Sequence, residues 1–251
     1  MKGEEIKQAV REHYGKVAVE KTGCCESSCG CGTDALDVLD VGMNETYRGQ
    51  DEAILEAADF GLGCGTPTMF ADLQPGMSVL DLGSGAGIDV FLAAKEVGPT
   101  GRAIGLDMTD EMLERAEENK KKLGIPNAEF RKGEIESMPV ESNSINRVLS
   151  NCVINLVPDK RKAFAEIYRV LKSGGRFIIS DIVIEGMIPD GYKKDPVLWC
   201  ACVSGASAKE EYLFIIGEAG FKNVEVSSTR EYPVPEGTPF KILSITVKGE
   251  K

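Results

Sequence analysis

An apolar stretch at residues 78–82 runs straight into Gly83-Ser84-Gly85-Ala86-Gly87, and a helical pattern follows to residue 97. No other feature restricts the fold of this chain as much. A strand that turns through three glycines into a helix needs torsions and close backbone approaches that side chains forbid. It also aims the helix N-terminus at whatever sits above the turn. The next strand-like stretch ends at Asp107, about the spacing at which a carboxylate meets ribose hydroxyls in nucleotide-binding sheets. A nucleoside pocket is therefore expected here, floored by Asp81, Gly83, Gly85, Gly87, Asp107 and the adjoining Met108. Ile88 stands where the last glycine of the dinucleotide pattern G-x-G-x-x-G would fall. The turn suits a nucleoside without a pyrophosphate.

Beyond this turn, strand-like and helical patterns alternate. Strands are predicted at 102–106, 128–132, 145–150 and 176–180, with helices at 111–123 and 159–171. That alternation implies an α/β, Rossmann-like parallel sheet with right-handed crossovers. After a helix at 209–219, two alternating strands at 223–228 and 242–247 are joined by a turn bearing Pro and Gly. Such a pair fits an antiparallel edge closing the sheet. Ahead of the sheet, residues 4–19 set Ile6, Val10, Tyr14 and Val17 on one helical face, and 51–60 form a short helix. The organisation expected is an N-terminal helix and Cys-rich loop (1–50), a nucleoside-binding domain (51–182) and a C-terminal segment (183–251).

The formal net charge of -11 and the lack of a basic patch argue against nucleic-acid and anionic-membrane partners. No run approaches the roughly 18 apolar residues of a membrane span. The start, Met1-Lys2-Gly3-Glu4-Glu5, has no signal-like apolar segment behind it. A cytoplasmic location is the expectation, and thiols stay reduced there. The eight cysteines then read as ligands or redox groups before structural disulfides. His13 is the only histidine, which leaves no room for a multi-histidine metal site.

Cys24, Cys25, Cys29 and Cys31 crowd a Gly- and Ser-rich stretch, while Cys64, Cys152, Cys200 and Cys202 are dispersed. Cys152 falls just past the strand at 145–150, where ligands bind in open α/β sheets. A lone buried cysteine is ordinarily a small hydrophobe; one at a strand's carboxyl end, with others in Gly-bearing segments, points to a site. The N-terminal cluster reads as a thiol-rich arm, a redox partner or a zinc site. Adjacent Cys24 and Cys25 are awkward for tetrahedral zinc.

Asp81 ahead of the glycines, and a turn lacking the third glycine of the dinucleotide pattern, resemble the class I S-adenosylmethionine methyltransferases. Lys132-Gly133-Glu134-Ile135-Glu136-Ser137-Met138-Pro139 resembles the turn that holds the adenine edge in that superfamily, with Glu134 where Asp is more usual. The run 169–176 resembles its later helix-to-strand turn. More narrowly, Ser150-Asn151-Cys152-Val153-Ile154-Asn155-Leu156-Val157-Pro158-Asp159-Lys160 is similar to the signature stretch of the arsenite S-adenosylmethionine methyltransferases. Gly63-Cys64-Gly65 resembles the segment with that family's upstream arsenic-binding cysteine. Trp199 to Ala206 resembles its W-x-x-C-x-x-G-A segment, which assigns the third ligand to Cys202. The resemblance covers about residues 45 to 220.

It implies an enzyme that moves the methyl of S-adenosylmethionine to arsenite or methylarsenite, with trivalent arsenic held by the thiolates of Cys64, Cys152 and Cys202. Soft thiolates suit that soft centre. Glu134, Ile135 and Tyr14 would complete the cofactor pocket. Methylation formally oxidises arsenic, so a thiol reductant of thioredoxin or glutathione type is also implied. Cys24 or Cys25 would be the internal redox partner, thioredoxin the protein partner, and a monomer the default state. Two other readings compete. One is a methyltransferase for a small quinone- or sterol-like acceptor; the other is a non-enzymatic arsenic- or zinc-binding sequestering protein on the same scaffold.

Overall fold

The structure is a computed structural model that describes residues 3–20, 47, 49–187, 199, 202, 204–234 and 236–251. The cluster Cys24, Cys25, Cys29 and Cys31, and also Cys200, lie outside the described residues. Helix α1 (Gly3–Glu20) comes first, then α2 (Glu52–Ala58), whose N-terminus is capped by the Asp51 carboxylate. The alternating part follows: β1 (Ser78–Leu82), α3 (Ile88–Val97), β2 (Arg102–Asp107), α4 (Asp110–Leu123), β3 (Ala128–Lys132), β4 (Ile145–Asn151) and α5 (Lys160–Val170). The chain closes with β5 (Leu171–Gly186), α6 (Lys209–Glu218), β6 (Lys222–Tyr232) and β7 (Phe240–Glu250).

One seven-stranded sheet has the order β3-β2-β1-β4-β5-β7-β6. The first five strands are parallel and β7 is antiparallel to both β5 and β6. The expected Rossmann-like sheet with an antiparallel edge is borne out. Its central strands read as near-continuous Val, Ile and Leu because both faces are covered. Phe164 and Ile167 of α5 and Tyr212 and Ile216 of α6 pack on one face with Leu80, Leu82 and Ile179. Val90, Phe91 and Ala94 of α3, with Ile54 of α2, pack on the other with Val79, Leu149 and Ile178.

Strand β5 is far longer than the segment 176–180 expected from sequence. Its parallel partner β4 ends opposite Ser180, but β7 continues to pair with it from Asp181 to Gly186. Asp181 reads in sequence as the end of an apolar strand. In the structure it is fully buried mid-strand, and the antiparallel ladder of β7 carries the backbone past it.

Candidate active site

A pocket lies beyond the carboxyl ends of the parallel strands, as the rule for open α/β sheets requires. Its lining comes from the segments after β1 (Asp81, Gly83–Ala86), β2 (Asp107–Thr109), β3 (Gly133–Glu136) and β4 (Asn151–Val153), and it has an empty volume of about 1130 Å³ counting its open mouth. Lys7, Val10 and Tyr14 of α1 line it as well. Of the residues expected at a cofactor, Asp81, Gly83, Gly85, Asp107, Met108, Glu134, Ile135 and Tyr14 all line this pocket. Gly87 does not; it caps α3 in the left-handed region at φ 98°.

Each acid has a definite local role. Asp107 accepts the N–H of Gly85 at 2.9 Å on one oxygen and that of Thr109 at 2.9 Å on the other, so it clamps the glycine turn to the end of β2. Gly83 has φ +65°, and a Cβ there would meet the Val153 side chain at 2.5 Å, so only glycine lets the turns after β1 and β4 meet. Burial, then the nearby charges of Asp89 and Asp107, push the Asp81 carboxyl well above the usual range. Asp89 is pushed up to about 6, chiefly by burial. Three carboxylates crowded in a low-dielectric pocket favour a cation and repel a pyrophosphate. A sulfonium with an ammonium tail fits that charge, and Ser84 Oγ is buried there with no hydrogen-bond partner.

Glu134 is not free to meet an adenine amine in this structure. It pairs with Lys7 at 2.7 Å and Arg11 at 2.6 Å, while Lys7 also reaches Glu136 at 2.5 Å. These bonds hold the Glu134 carboxyl below its usual range, the Lys7 hydrogen bond most of all. They draw α1 across the side of the pocket formed by the segment after β3.

Cys64, Cys152 and Cys202 are each 4% exposed and belong to one buried cluster with Ile182, Tyr232 and Ile242, against which Tyr14 and Trp199 pack. Cys64 and Cys152 are joined as a disulfide, with Cα atoms 5.8 Å apart. The sequence reading put ligands ahead of disulfides, so two of the three thiols here stand in their oxidised form. The third, Cys202, is not part of that disulfide, and its Sγ donates to the Cys152 carbonyl oxygen at 3.0 Å. Among the described residues no three thiol, imidazole or carboxylate groups are gathered closely enough to hold a metal ion. Three thiolates at this place require reduction first.

Cys152 and Cys202 have φ of 60° and 63°. Left-handed torsions cost a non-glycine residue about 1–3 kcal/mol and persist where surroundings over-determine them, often at functional sites. The Cys152 N–H donates to the Ser180 carbonyl at 2.8 Å and the Cys202 N–H to the Trp199 carbonyl at 2.9 Å, which hold both torsions.

A family model described as a methyltransferase domain matches residues 73–220, more than half of the chain. The chain belongs to the methyltransferase-domain family. This chain is 45% identical over 246 residues to the arsenite methyltransferase of Halobacterium salinarum, covering 94% of this chain and 61% of that one. It is 34% identical to the arsenite methyltransferase of Homo sapiens, covering 86% of this chain and 58% of that one. The chain thus spans about three-fifths of the length of the curated relatives it matches. A crystal structure of an arsenic(III) S-adenosylmethionine methyltransferase from Chlamydomonas reinhardtii superposes with a TM-score of 0.71 at 32% identity, over 85% of this chain and 73% of that one.

Several groups around the pocket were not singled out one by one in the sequence, although Asn151 and Lys160 lie within the signature-like stretch 150–160. Tyr47 and Asn151 bridge the pocket to the Cys64 loop. Behind Cys202, Lys160 donates from Nζ to the Gly205 carbonyl at 2.8 Å, and Tyr212 donates its hydroxyl to Asp181 at 3.1 Å. Lys160 is lowered by burial, and burial pushes Asp181 up to about 7 although Lys160 and Tyr212 pull it down. An unfolded Asp titrates near 3.9, so between about pH 4 and 7 the native form binds the extra proton. Stability contributed by the protonated carboxyl is therefore lost as pH rises through that window. Urea unfolding at pH 5 and pH 8 should show a smaller loss in Asp181→Asn than in the parent; parallel losses would refute the assignment.

Proposed function

We propose that this chain is an arsenite methyltransferase that takes its methyl from S-adenosylmethionine and holds trivalent arsenic on Cys64, Cys152 and Cys202. The observation that carries the reading is that Cys152 belongs both to the wall of the acidic pocket and to the buried thiol cluster. A metalloid on its sulfur would sit on the boundary between donor and acceptor. The bound cofactor supplies an electrophilic methyl on a cationic sulfonium. The chain's own contribution is positioning: three sulfurs displace the hydroxyls of arsenite and hold the arsenic lone pair close to the pocket. No general base is needed, because the nucleophile is a lone pair.

Accepting a methyl cation takes arsenic from trivalent to pentavalent. Two As–S bonds then break as their sulfurs join, which returns an electron pair to arsenic. A water oxygen takes the open position and loses a proton. The Cys64–Cys152 disulfide is the state such a cycle leaves behind. A thiol reductant of thioredoxin or glutathione type must reduce it for another round, through Cys24 or Cys25 in the proposed relay, in a reducing compartment such as the cytoplasm.

Purified protein given S-adenosylmethionine, arsenite and a dithiol should yield methylated arsenicals over many turnovers. Without the dithiol it should release less than one methylated product per chain. Methylation of a quinol but not of arsenite would favour the organic acceptor. Arsenite bound without methyl transfer would favour sequestration.

A further inference from the structure

Tyr47 stands between the cofactor pocket and the first cysteine. Its hydroxyl donates to Asp89 Oδ2 at 2.5 Å and accepts from Asn151 Nδ2 at 2.7 Å. Asn151 then grips the Cys64 loop from both sides: its Oδ1 accepts the N–H of Cys64 at 3.0 Å and of Gly65 at 3.1 Å, and its Nδ2 donates to the Gly65 carbonyl at 2.7 Å. Tyr47 and Asp89 are buried, and both line the pocket together with Asn151. Space is tight as well as bonded. A Cβ on Gly63 would meet Asn151 Nδ2 at 2.6 Å and the Tyr47 ring at 3.3 Å.

We propose that Tyr47 and Asn151 are positioning residues that tie the Cys64 loop to occupancy of the cofactor pocket. The inference rests on reading Cys64 as an arsenic ligand. A cationic cofactor docked against Asp81 and Asp89 orders the Asp89 carboxylate, and a hydrogen bond to an ordered, ionised acceptor is about twice as strong as a neutral one. The Tyr47 hydroxyl is thereby fixed, its lone pair fixes the Asn151 amide, and that amide fixes the two N–H groups around Cys64. Asn151 is also the last residue of β4 and precedes Cys152, so one amide sets the relative placement of two ligand-bearing segments. Cofactor and metalloid binding are then linked thermodynamically, each strengthening the other.

The test uses the reduced full chain and follows alkylation of Cys64 by iodoacetamide, read by peptide mass mapping. Saturating S-adenosylmethionine should slow Cys64 alkylation in the parent about fivefold or more, the lower end of ordinary site-to-site coupling. In Tyr47→Phe, saturated with cofactor, the ratio should fall to within about twofold of one, although the ring that fills the site is kept. Asn151→Ala should lose the ratio too, which covers the case in which Tyr47→Phe does not fold. Direct shielding of Cys64 by the cofactor would leave the ratio intact in both variants, and that result overturns the proposal, as does a parent ratio of one. Protection of Cys64 by arsenite in the same assay reports on the ligand assignment separately. If protection is missing while the cofactor effect persists, the assignment fails and the tie stands.

Discussion

Cys152→Ser is expected to lower arsenite methylation at least about 100-fold, a loss of about 2.7 kcal/mol of transition-state stabilisation at about 1.36 kcal/mol per decade. Affinity for S-adenosylmethionine should stay at the parent value. The reasoning separates donor from acceptor. Serine keeps the size of the side chain at a position that lines the pocket and is held by the Ser180 carbonyl, so the pocket wall survives. What is lost is the soft thiolate, for which a hard hydroxyl is a poor substitute at trivalent arsenic. The substitution also removes the Cys64–Cys152 disulfide, so the variant should methylate no faster when dithiol is added. Titration calorimetry with the cofactor and chromatography of arsenic species are the two measurements. A near-parent rate of methylarsenical formation would refute the three-thiolate site.

Gly205→Ala should destabilise the whole domain. A Cβ at Gly205 would lie 2.0 Å from the Asn155 carbonyl oxygen and 3.0 Å from its carbon, both backbone atoms. Neither side yields easily. Asn155 is fully buried and donates its amide to the Ile182 carbonyl at 2.6 Å, while the Gly205 carbonyl is held by Lys160. Overpacking of this kind costs about 1–3 kcal/mol, and the backbone contact places Gly205→Ala in the upper part of that range. The fall in Tm is then about 4–12 °C at about 2–4 °C per kcal/mol for a chain of this size. Gly217, inside α6, meets nothing within 4 Å. Gly217→Ala should therefore hold or raise Tm, since a helical alanine is favoured over glycine by about 0.5–1 kcal/mol. Thermal melts of the two variants side by side give the answer. A Gly205→Ala protein melting with the parent would mean that the Gly205 segment does not pack on Asn155 as found. The displaced segment carries Cys202 three residues earlier, so arsenite affinity should fall more than cofactor affinity.

The positions of the strands and helices of the parallel half were legible in the sequence. β1, β2 and β3 begin at the residues expected from sequence, 78, 102 and 128, and α4 ends where Gly124 takes the left-handed torsion. These are local facts: apolar periodicity, a glycine that only one conformation wants, an acid at a strand's end. The pocket's place over the glycine turn follows from the same turn chemistry. The true length of β5 was not legible, because Asp181 looks like a boundary until β7 is known to lie beside it. Nor were the roles of Tyr47, Asn151, Lys160 and Asp181, whose partners lie far away in sequence, although Asn151 and Lys160 sit in the signature-like stretch.

Residue chemistry and short-range spacing thus determined the donor side of this protein: a parallel α/β sheet, a glycine turn and a ring of acids suited to a cationic nucleoside. The meeting of Cys64, Cys152 and Cys202 in one buried cluster was decided only by the tertiary structure. Sequence can nominate such residues, but no local rule joins positions 88 residues apart. That is the work of β4 and β5 pairing in register, of Asn151 gripping the Cys64 loop, and of Gly205 packing flat on Asn155. Long-range packing closes those loops against the entropy of the chain, and only then do the sulfurs meet.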